Sequence, residues 1–352
     1  MKKTGQGKVP REFLDEVVFA SLGADSESVI VRPGHGLDNA VVSLGKSVLI
    51  VTTDPLSVIP SIGTKESAWL SVHLLATDLA TSGVEPQFAA FDMNLPPEMK
   101  LGSIASYVRA VGEECRKLGI TIVGGHTGRY PGGGFTVVGG GTMFSVAERS
   151  GYVTPAMAQP GDAILVTKGA AIGATAVLAN SFPSVIRKKA GEKTLRMARA
   201  RLHDCSGVKD AKAAAAVGLH TSVTSMHDAT EGGVLGGLSE LSSACGRPVI
   251  VDRESIPVSE EALAVCRVFG LDPLTTLSEG TLIVTCKPAA VDAVVASLSR
   301  EAIHCSRVGR VGEGTRSPGL FLSSRGSTPK PCVPGRDRYW EAYSRGVKMG
   351  WT

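Results

Sequence analysis

The stretch Ser47-Val48-Leu49-Ile50-Val51-Thr52-Thr53-Asp54-Pro55, with Glu66–Thr81 behind it, decides the fold class. The first is a β-branched run that reads as a strand over 47–53 and meets a turn signal at Asp54-Pro55. The second carries Trp69, Val72, Leu75, Ala76 and Leu79 near helical spacing. The pattern repeats outward in both directions. Phe13–Leu22 reads as a short helix, Ile104–Leu118 as another, and Ile120–Val123 as a strand running into Gly124-Gly125-His126-Thr127, with a further strand over Gly141–Val146. Pro155, Pro160 and Gly161 punctuate residues 154–162 just before a fresh strand, Ala163–Thr167. Helices are expected at Gly173–Asn180, Leu195–Leu202, Val208–Val217, Gly233–Cys245 and Glu260–Phe269, and strands at Val249–Val251 and Thr281–Cys286. Strands and helices alternate without long all-β or all-α runs, so the fold class is α/β (α+β). The domains expected are 1–155 and 160–315, followed by a Pro-, Gly- and Arg-rich surface tail, 323–352.

Composition limits the function classes. The 352 residues are 43% hydrophobic and 20% charged, enough for two real cores. Glycine is in excess, 42 of 352, or about 12% against roughly 7% in average usage. No G-X-Y period is present, and nine glycines fall within residues 124–141 beside valines and threonines, so the excess reads as backbone that turns sharply or approaches something closely. The net charge of +4 is mild. The densest basic run, Ile186–Leu202, places Arg187, Lys188, Lys189, Lys193, Arg196, Arg199 and Arg201 at helical intervals without interleaved aromatics, which reads as a solvated helix face and gives no nucleic-acid partner. Seven widely spaced cysteines without a C-x-x-C pair point to a reducing compartment. The N-terminal Met1–Gly7 lacks an apolar core for a leader, and no stretch is apolar enough to span a membrane, so the expected location is cytoplasmic.

The common phosphate loops fail. Gly45-Lys46-Ser47 would place the first Walker glycine on Ala40, and no G-x-G-x-x-G opens a helix after a strand. What remains is a set of aspartates at element ends. Asp38 lies in Gly36-Leu37-Asp38-Asn39, Asp54 closes a strand, Asp78 sits in an apolar helix, and Asp228 belongs to His227-Asp228-Ala229-Thr230-Glu231-Gly232-Gly233. Magnesium takes oxygen ligands from a few carboxylates plus substrate phosphates, which suits aspartates converging from separate elements. Each has a structural alternative: Asp38 and Asp54 as turn residues, and Asp228 or Thr230 as a helix cap. Asp78 is harder to explain so, because a carboxylate on an apolar helix needs a compensating charge. Gly125, His126 and Thr127 after a strand could cradle an anion with backbone N–H groups, or form a plain tight turn. Gly232 and Gly233 at a helix start could bind phosphate, or allow close packing.

Taken in order, Gly36–Val41, Thr52-Thr53-Asp54, Thr77–Pro86, Gly124–Thr127, Pro160-Gly161-Asp162, His227–Gly233 and Ser278-Glu279-Gly280 resemble the aminoimidazole-ribonucleotide synthetase (PurM-like) superfamily over residues 7 to 313. Gly7-Lys8-Val9-Pro10, Asp228–Val234 and Asp272-Pro273-Leu274 are most similar to its hydrogenase-maturation branch, HypE. The resemblance implies an N-terminal domain whose strands form a β-barrel across a homodimer, and a C-terminal α/β domain covering an ATP cleft. It implies ATP and magnesium held by Asp38, Asp54, Asp78 and Asp228, with Gly36, Thr53, Gly125, His126, Thr127, Thr230, Gly232 and Gly233 around the nucleotide. Glu279 becomes a base or substrate contact, or else a turn glutamate. Two departures matter. HypE proteins end in a Pro-Arg-Ile-Cys-like tail whose cysteine is carbamoylated and then dehydrated, whereas here the nearest counterpart is Pro329-Lys330-Pro331-Cys332 and the chain closes Lys348-Met349-Gly350-Trp351-Thr352. HypE proteins also carry Gly-Asp-Thr-Lys where this chain has Gly125-His126-Thr127-Gly128. Selenophosphate synthetases carry Gly-Gly-His at that place, but their reactive N-terminal cysteine segment has no match here. The reading is an ATP- and magnesium-dependent enzyme that activates an oxygen of a small-molecule or protein-bound acceptor. The alternative is a nucleotide-binding accessory protein that docks to a metalloenzyme-maturation partner.

Overall fold

The computed structural model describes residues 6–132, 135–313, 317–324 and 326–352, so Gly133 and Gly134 of the glycine-rich stretch lie outside the described residues. Helical turns run from Arg11 to Ser21, beginning with α1 (Arg11–Phe13). The first sheet is built from β1 (Val29–Val31), β2 (Ala40–Leu44), β3 (Ser47–Ser57), β4 (Phe88–Leu95), β5 (Thr121–Arg129) and β6 (Val137–Glu148). Their spatial order is β1-β2-β3-β6-β4-β5, antiparallel except for the parallel β4–β5 pair. Helices α2 (Thr64–Ala80) and α3 (Leu101–Lys117) cover one face, and their Val72, Leu75, Tyr107 and Val111 pack with Leu56, Phe91 and Met143 of the sheet. Within one chain the sheet stays open, with β1 and β5 at its ends.

The second sheet comprises β7 (Ala163–Thr167), β8 (Val223–Ala229), β9 (Pro248–Asp252), β10 (Thr281–Cys286), β11 (Cys305–Val311), β12 (Gly319–Ser323) and β13 (Lys330–Cys332), in the order β13-β12-β9-β11-β7-β10-β8. Its helices are α4 (Ile172–Ser181), α5 (Pro183–Ala190), α6 (Glu192–Ala200), α7 (Val208–Ala215), α8 (Gly233–Cys245), α9 (Glu260–Phe269), α10 (Val291–Arg300) and α11 (Tyr339–Lys348). The strand period explains its two cores. In β7, Ile164 and Val166 face Val234, Leu238 and Leu241 of α8, while Ala163 and Leu165 face α7 and α10. A sheet buried on both faces favours apolar runs over alternation, which is why β7 and β10 contain so few polar residues. A further core gathers α4, α5, α6, α9 and α11 around Phe182, Ile186 and Phe269. The basic run behaves as its spacing suggests: Ile186, Leu195 and Ala198 point inward and Arg187, Lys188, Lys189, Lys193 and Arg196 outward. Arg201 departs from it by pairing with the buried Glu261.

Three expectations need correction. Strand β3 does not stop at Asp54-Pro55 but continues to Ser57. Its partner β2 pairs only as far as Val51, so beyond that point one side of β3 has no neighbouring strand and a proline is tolerated. Residues 124–127 form no turn after a strand, because β5 runs through them beside Ala90–Met93 of β4. The segment 323–352 is not merely a surface tail: β13 joins the second sheet, and Tyr339 and Ala342 of α11 are buried in the core. Among the described residues all seven cysteines are free thiols, and no helix is long and apolar enough to cross a membrane.

Candidate active site: a carboxylate-lined cleft

The half of β3 without an outer neighbour opens onto a cavity of about 900 Å³. Thr52, Thr53, Asp54 and Pro55 line it from β3, Asp78 from α2, Gly36, Leu37 and Asp38 from the loop before β2, and His227 and Asp228 from β8. Thr230, Glu231, Glu240, Glu279 and Lys8 complete its polar wall; Leu70, Leu74, Val177, Leu277, Tyr339 and Trp340 are among its apolar ones. The fold therefore brings together Asp38, Asp54, Asp78, Asp228, Glu279, Gly36, Thr53 and Thr230.

Local structure explains each placement. Gly36 has φ +70° and presses so closely on α8 that a Cβ would lie 2.4 Å from the Glu240 carbonyl oxygen. Only glycine fits, and the approach sets Asp38 against β8. The Asp38 carboxylate accepts the His227 Nδ1–H at 2.8 Å, and Glu240 accepts from Nε2 at 3.2 Å. With both ring nitrogens facing carboxylates the imidazole is doubly protonated: burial opposes that charge, but Asp38 and Glu240 outweigh burial and raise the His227 pKa well above its usual value. The same pairing, against the opposing effect of burial, holds the Glu240 carboxyl at about 2. Asp38, His227 and Asp228 present ligand atoms within 4.8 Å of one another, yet the ring nitrogens of His227 are committed, so this end of the cleft offers oxygen donors.

Asp54, Asp228 and Glu279 accept no hydrogen bond from any described side chain or backbone N–H, and Asp78 meets only the Thr52 hydroxyl at 3.4 Å. Burial, with mutual repulsion added, pushes Asp54 up to about 6, Asp228 up to about 7, and Asp78 and Glu279 well above the carboxylate range. Carboxylates without hydrogen-bond partners that line one cleft are donors of the all-oxygen kind magnesium takes. Among the described lining residues, Lys8 is the one lysine or arginine. Its Nζ lies 3.1 Å from Thr230 Oγ1 and 3.9 Å from Glu240. Burial would lower the Lys8 pKa, but Glu240, Asp228, Glu279 and Glu231 raise it, while the side chain stays 58% exposed at the mouth of the cleft, where solvent screens their field.

Other expected residues fall outside. Gly125, His126 and Thr127 lie in the exposed edge strand β5, where His126 Nε2 is 2.6 Å from the Tyr130 hydroxyl. The Gly232 N–H at the head of α8 already donates to Asp337, and Gly233 sits against the backbone of Leu274 and Thr276, which is close packing rather than an open anion site. Cys332 packs beside the α8 core and does not line the cleft. Sequence reasoning passed over His227, Glu240 and Lys8 as site residues. The signal for His227 and Lys8 was available, since both stand inside the quoted motifs; Glu240 had none, because only the packing of Gly36 on α8 brings it near.

Comparison with known proteins finds relatives of this chain. The profile of the AIR synthase related protein, N-terminal domain, matches residues 36–146, and that of the C-terminal domain matches residues 159–318. A carbamoyl dehydratase HypE from Cupriavidus necator is 31% identical over 70% of this chain and 68% of its own length. A putative hydrogenase expression/formation protein from Methanocaldococcus jannaschii is 23% identical over 80% of each chain. Among solved structures, the hydrogenase maturation protein HypE in complex with ATP superposes with a TM-score of 0.66 at 19% identity, covering 94% of this chain and 96% of the other. AaThiL complexed with AMPPCP and TMP gives 0.68 at 17%, covering 94% and 100%.

Proposed function

The chain belongs to the AIR synthase-related family, and from that premise we propose that it is an ATP- and magnesium-dependent enzyme that transfers the γ-phosphoryl group to an oxygen of a small-molecule or protein-bound acceptor. The observation that carries this reading is the convergence of Asp54, Asp228 and Glu279, without hydrogen-bond partners, on the same cleft as Asp38 and Asp78. A cleft so acidic repels a bare triphosphate and accepts one accompanied by cations. Asp38, Asp54, Asp78 and Asp228 would hold magnesium, which supplies charge neutralisation for the phosphates. Solved structures of the same fold in complex with ATP or with AMPPCP support the nucleotide.

The residues of this chain then have separate tasks. Lys8 meets an anionic phosphate oxygen with its ammonium, and Thr230 beside it donates from its hydroxyl. His227 keeps Asp38 turned toward the cleft through the Nδ1 contact. In the transfer, the acceptor oxygen bonds to the γ-phosphorus as the bond to the β–γ bridging oxygen breaks, and ADP leaves. The acceptor hydroxyl loses its proton as the new bond forms, and the Glu279 carboxylate, whose pKa burial raises and which therefore binds a proton more readily, would take it. Gly36 and Thr53 stand next to the nucleotide space, and the strands of the first sheet join a second copy through β5 as a homodimer, closing a barrel between chains.

The test is magnesium-dependent ATP hydrolysis by the wild type and by Asp78→Asn. Turnover in the wild type that drops at least about a hundredfold in the variant, with unchanged circular dichroism, is the expected result. ATP binding without turnover, with every acceptor class offered, would replace the enzyme by a nucleotide-binding accessory protein that docks to a maturation partner. No binding at all would end both readings.

A further inference from the structure

Glu231 ties the two ends of the chain together at the mouth of the cleft. One carboxylate oxygen, Oε2, accepts the backbone N–H of Lys8 at 2.7 Å; the other, Oε1, accepts the indole N–H of Trp340 at 2.5 Å. Lys8 belongs to the Gly7–Pro10 stretch that resembles HypE, whereas Trp340 lies beyond residue 318, where the C-terminal family profile ends.

The two ends differ in how firmly they are fixed. Helix α11 is anchored in the core by Tyr339 and Ala342, and Asp337 before it accepts from the backbone N–H groups of Gly232 and Tyr339 and from the Thr276 hydroxyl. The N-terminal arm buries no side chain through Ser21 and meets the body through exposed polar contacts such as Gln6 with Ser344 and Arg11 with Ser243. A rigid helix therefore holds a soft arm, through the Glu231 carboxylate and through the Ser344 hydroxyl on Gln6, and the arm carries the one ammonium that lines the cleft among the described residues.

We infer that Trp340 is a positioning residue: acting through Glu231, it holds the arm so that the Lys8 ammonium stays at the acidic end of the cleft, where it meets an anionic oxygen of the nucleotide. The part played by the nucleotide rests on the function proposed above. A hydrogen bond to a charged acceptor is strong enough to set a flexible segment, and the indole N–H has no other task here.

The experiment is a double-mutant cycle on magnesium-dependent ATP hydrolysis with Trp340→Phe, which keeps a ring and loses the donor, and Lys8→Gln, joined to hydrogen exchange at the Lys8 amide. Trp340→Phe is expected to raise the KM for magnesium-ATP about tenfold with a smaller change in kcat, and Lys8→Gln to raise it at least as much. The double variant should match Lys8→Gln alone, because Trp340 acts only through Lys8; additive effects overturn the inference. In the absence of nucleotide, Trp340→Phe and Glu231→Gln should each speed exchange at the Lys8 amide about tenfold. Unchanged exchange in Trp340→Phe overturns the positioning role while the nucleotide reading stands. A wild type that binds no magnesium-ATP overturns the nucleotide reading and this role for Lys8 with it.

Discussion

Asp54 and Asp228 have carboxyls raised by burial to about 6 and about 7, and that has a definite consequence for stability. In the unfolded chain a carboxyl titrates near pH 4, so the folded state binds these protons more tightly. Their contribution is whole below about pH 4 and is lost as pH rises through about 6 to 7. His227, raised as well, adds a loss in the same direction at higher pH. His73 works the other way: burial lowers it to about 4, so it stays neutral in the fold, and its contribution is complete above about pH 6.5. Between about pH 6.5 and 8 the metal-free protein should therefore lose thermal stability. Millimolar magnesium should restore it, with a larger rise in Tm at pH 8 than at pH 6, because the cation competes with protons for the same oxygens. Scanning calorimetry at the two pH values decides this, and a magnesium effect independent of pH would contradict it. Gly36→Ala tests the same cleft from its wall. The new methyl meets the Glu240 carbonyl and a left-handed backbone, so a loss of about 1–3 kcal/mol in urea unfolding is expected, together with weaker magnesium binding by isothermal titration.

At the scale of elements, legibility followed punctuation. Strand β7 and helices α8 and α9 run between the residues expected of them because their ends are marked locally. Pro160-Gly161 precedes β7, the Ser259 hydroxyl accepts from the Ala262 N–H at the start of α9, and Gly270 in a left-handed conformation closes it. Strand β3 was read too short because a local rule about Asp-Pro ignores where the neighbouring strand ends. In β5, glycines looked like a turn although the strand simply continues along the sheet edge. Strand β8 carries Thr224, Ser225, His227 and Asp228, a polar pattern that periodicity does not flag, and its burial depends on partners such as Asp162 and Thr285 from distant segments. Helix α11 hid behind a Pro- and Arg-rich approach, although Tyr339, Ala342 and Gly346 repeat on one face. That face gives a direct test. A Cβ on Gly346 would sit 2.6 Å from the Phe182 ring, so Gly346→Leu should force α11 outward. The expected results are a loss of about 1–3 kcal/mol in denaturant unfolding and faster hydrogen exchange over residues 339–348. Unaltered exchange would show that the helix yields elsewhere.

For the molecule as a whole, the open question is what lies beyond β5. It pairs with β4 on one side only, and it exposes Ile122 at 44% and Val123 at 54%. A long edge strand with apolar residues and unpaired backbone groups invites another strand, and soluble proteins usually blunt such edges with charge or cover them. A second copy of the chain would cover this one, and the proposed homodimer follows from the same edge. Within one chain His126 and Thr127 lie outside the cleft, and in the proposed homodimer they would stand at the seam between copies. Ile122→Lys with Val123→Lys should therefore yield a monomer in sedimentation equilibrium where the wild type is a dimer, at little cost to the fold of each chain because both positions are exposed. His126→Ala should weaken the dimer while leaving the KM for magnesium-ATP within about twofold, since His126 is exposed and does not line the cleft within one chain. A wild type that sediments as a monomer removes the seam, whereas a His126→Ala variant that stays dimeric but loses nucleotide affinity would return residues 125–127 to the phosphate site across the interface.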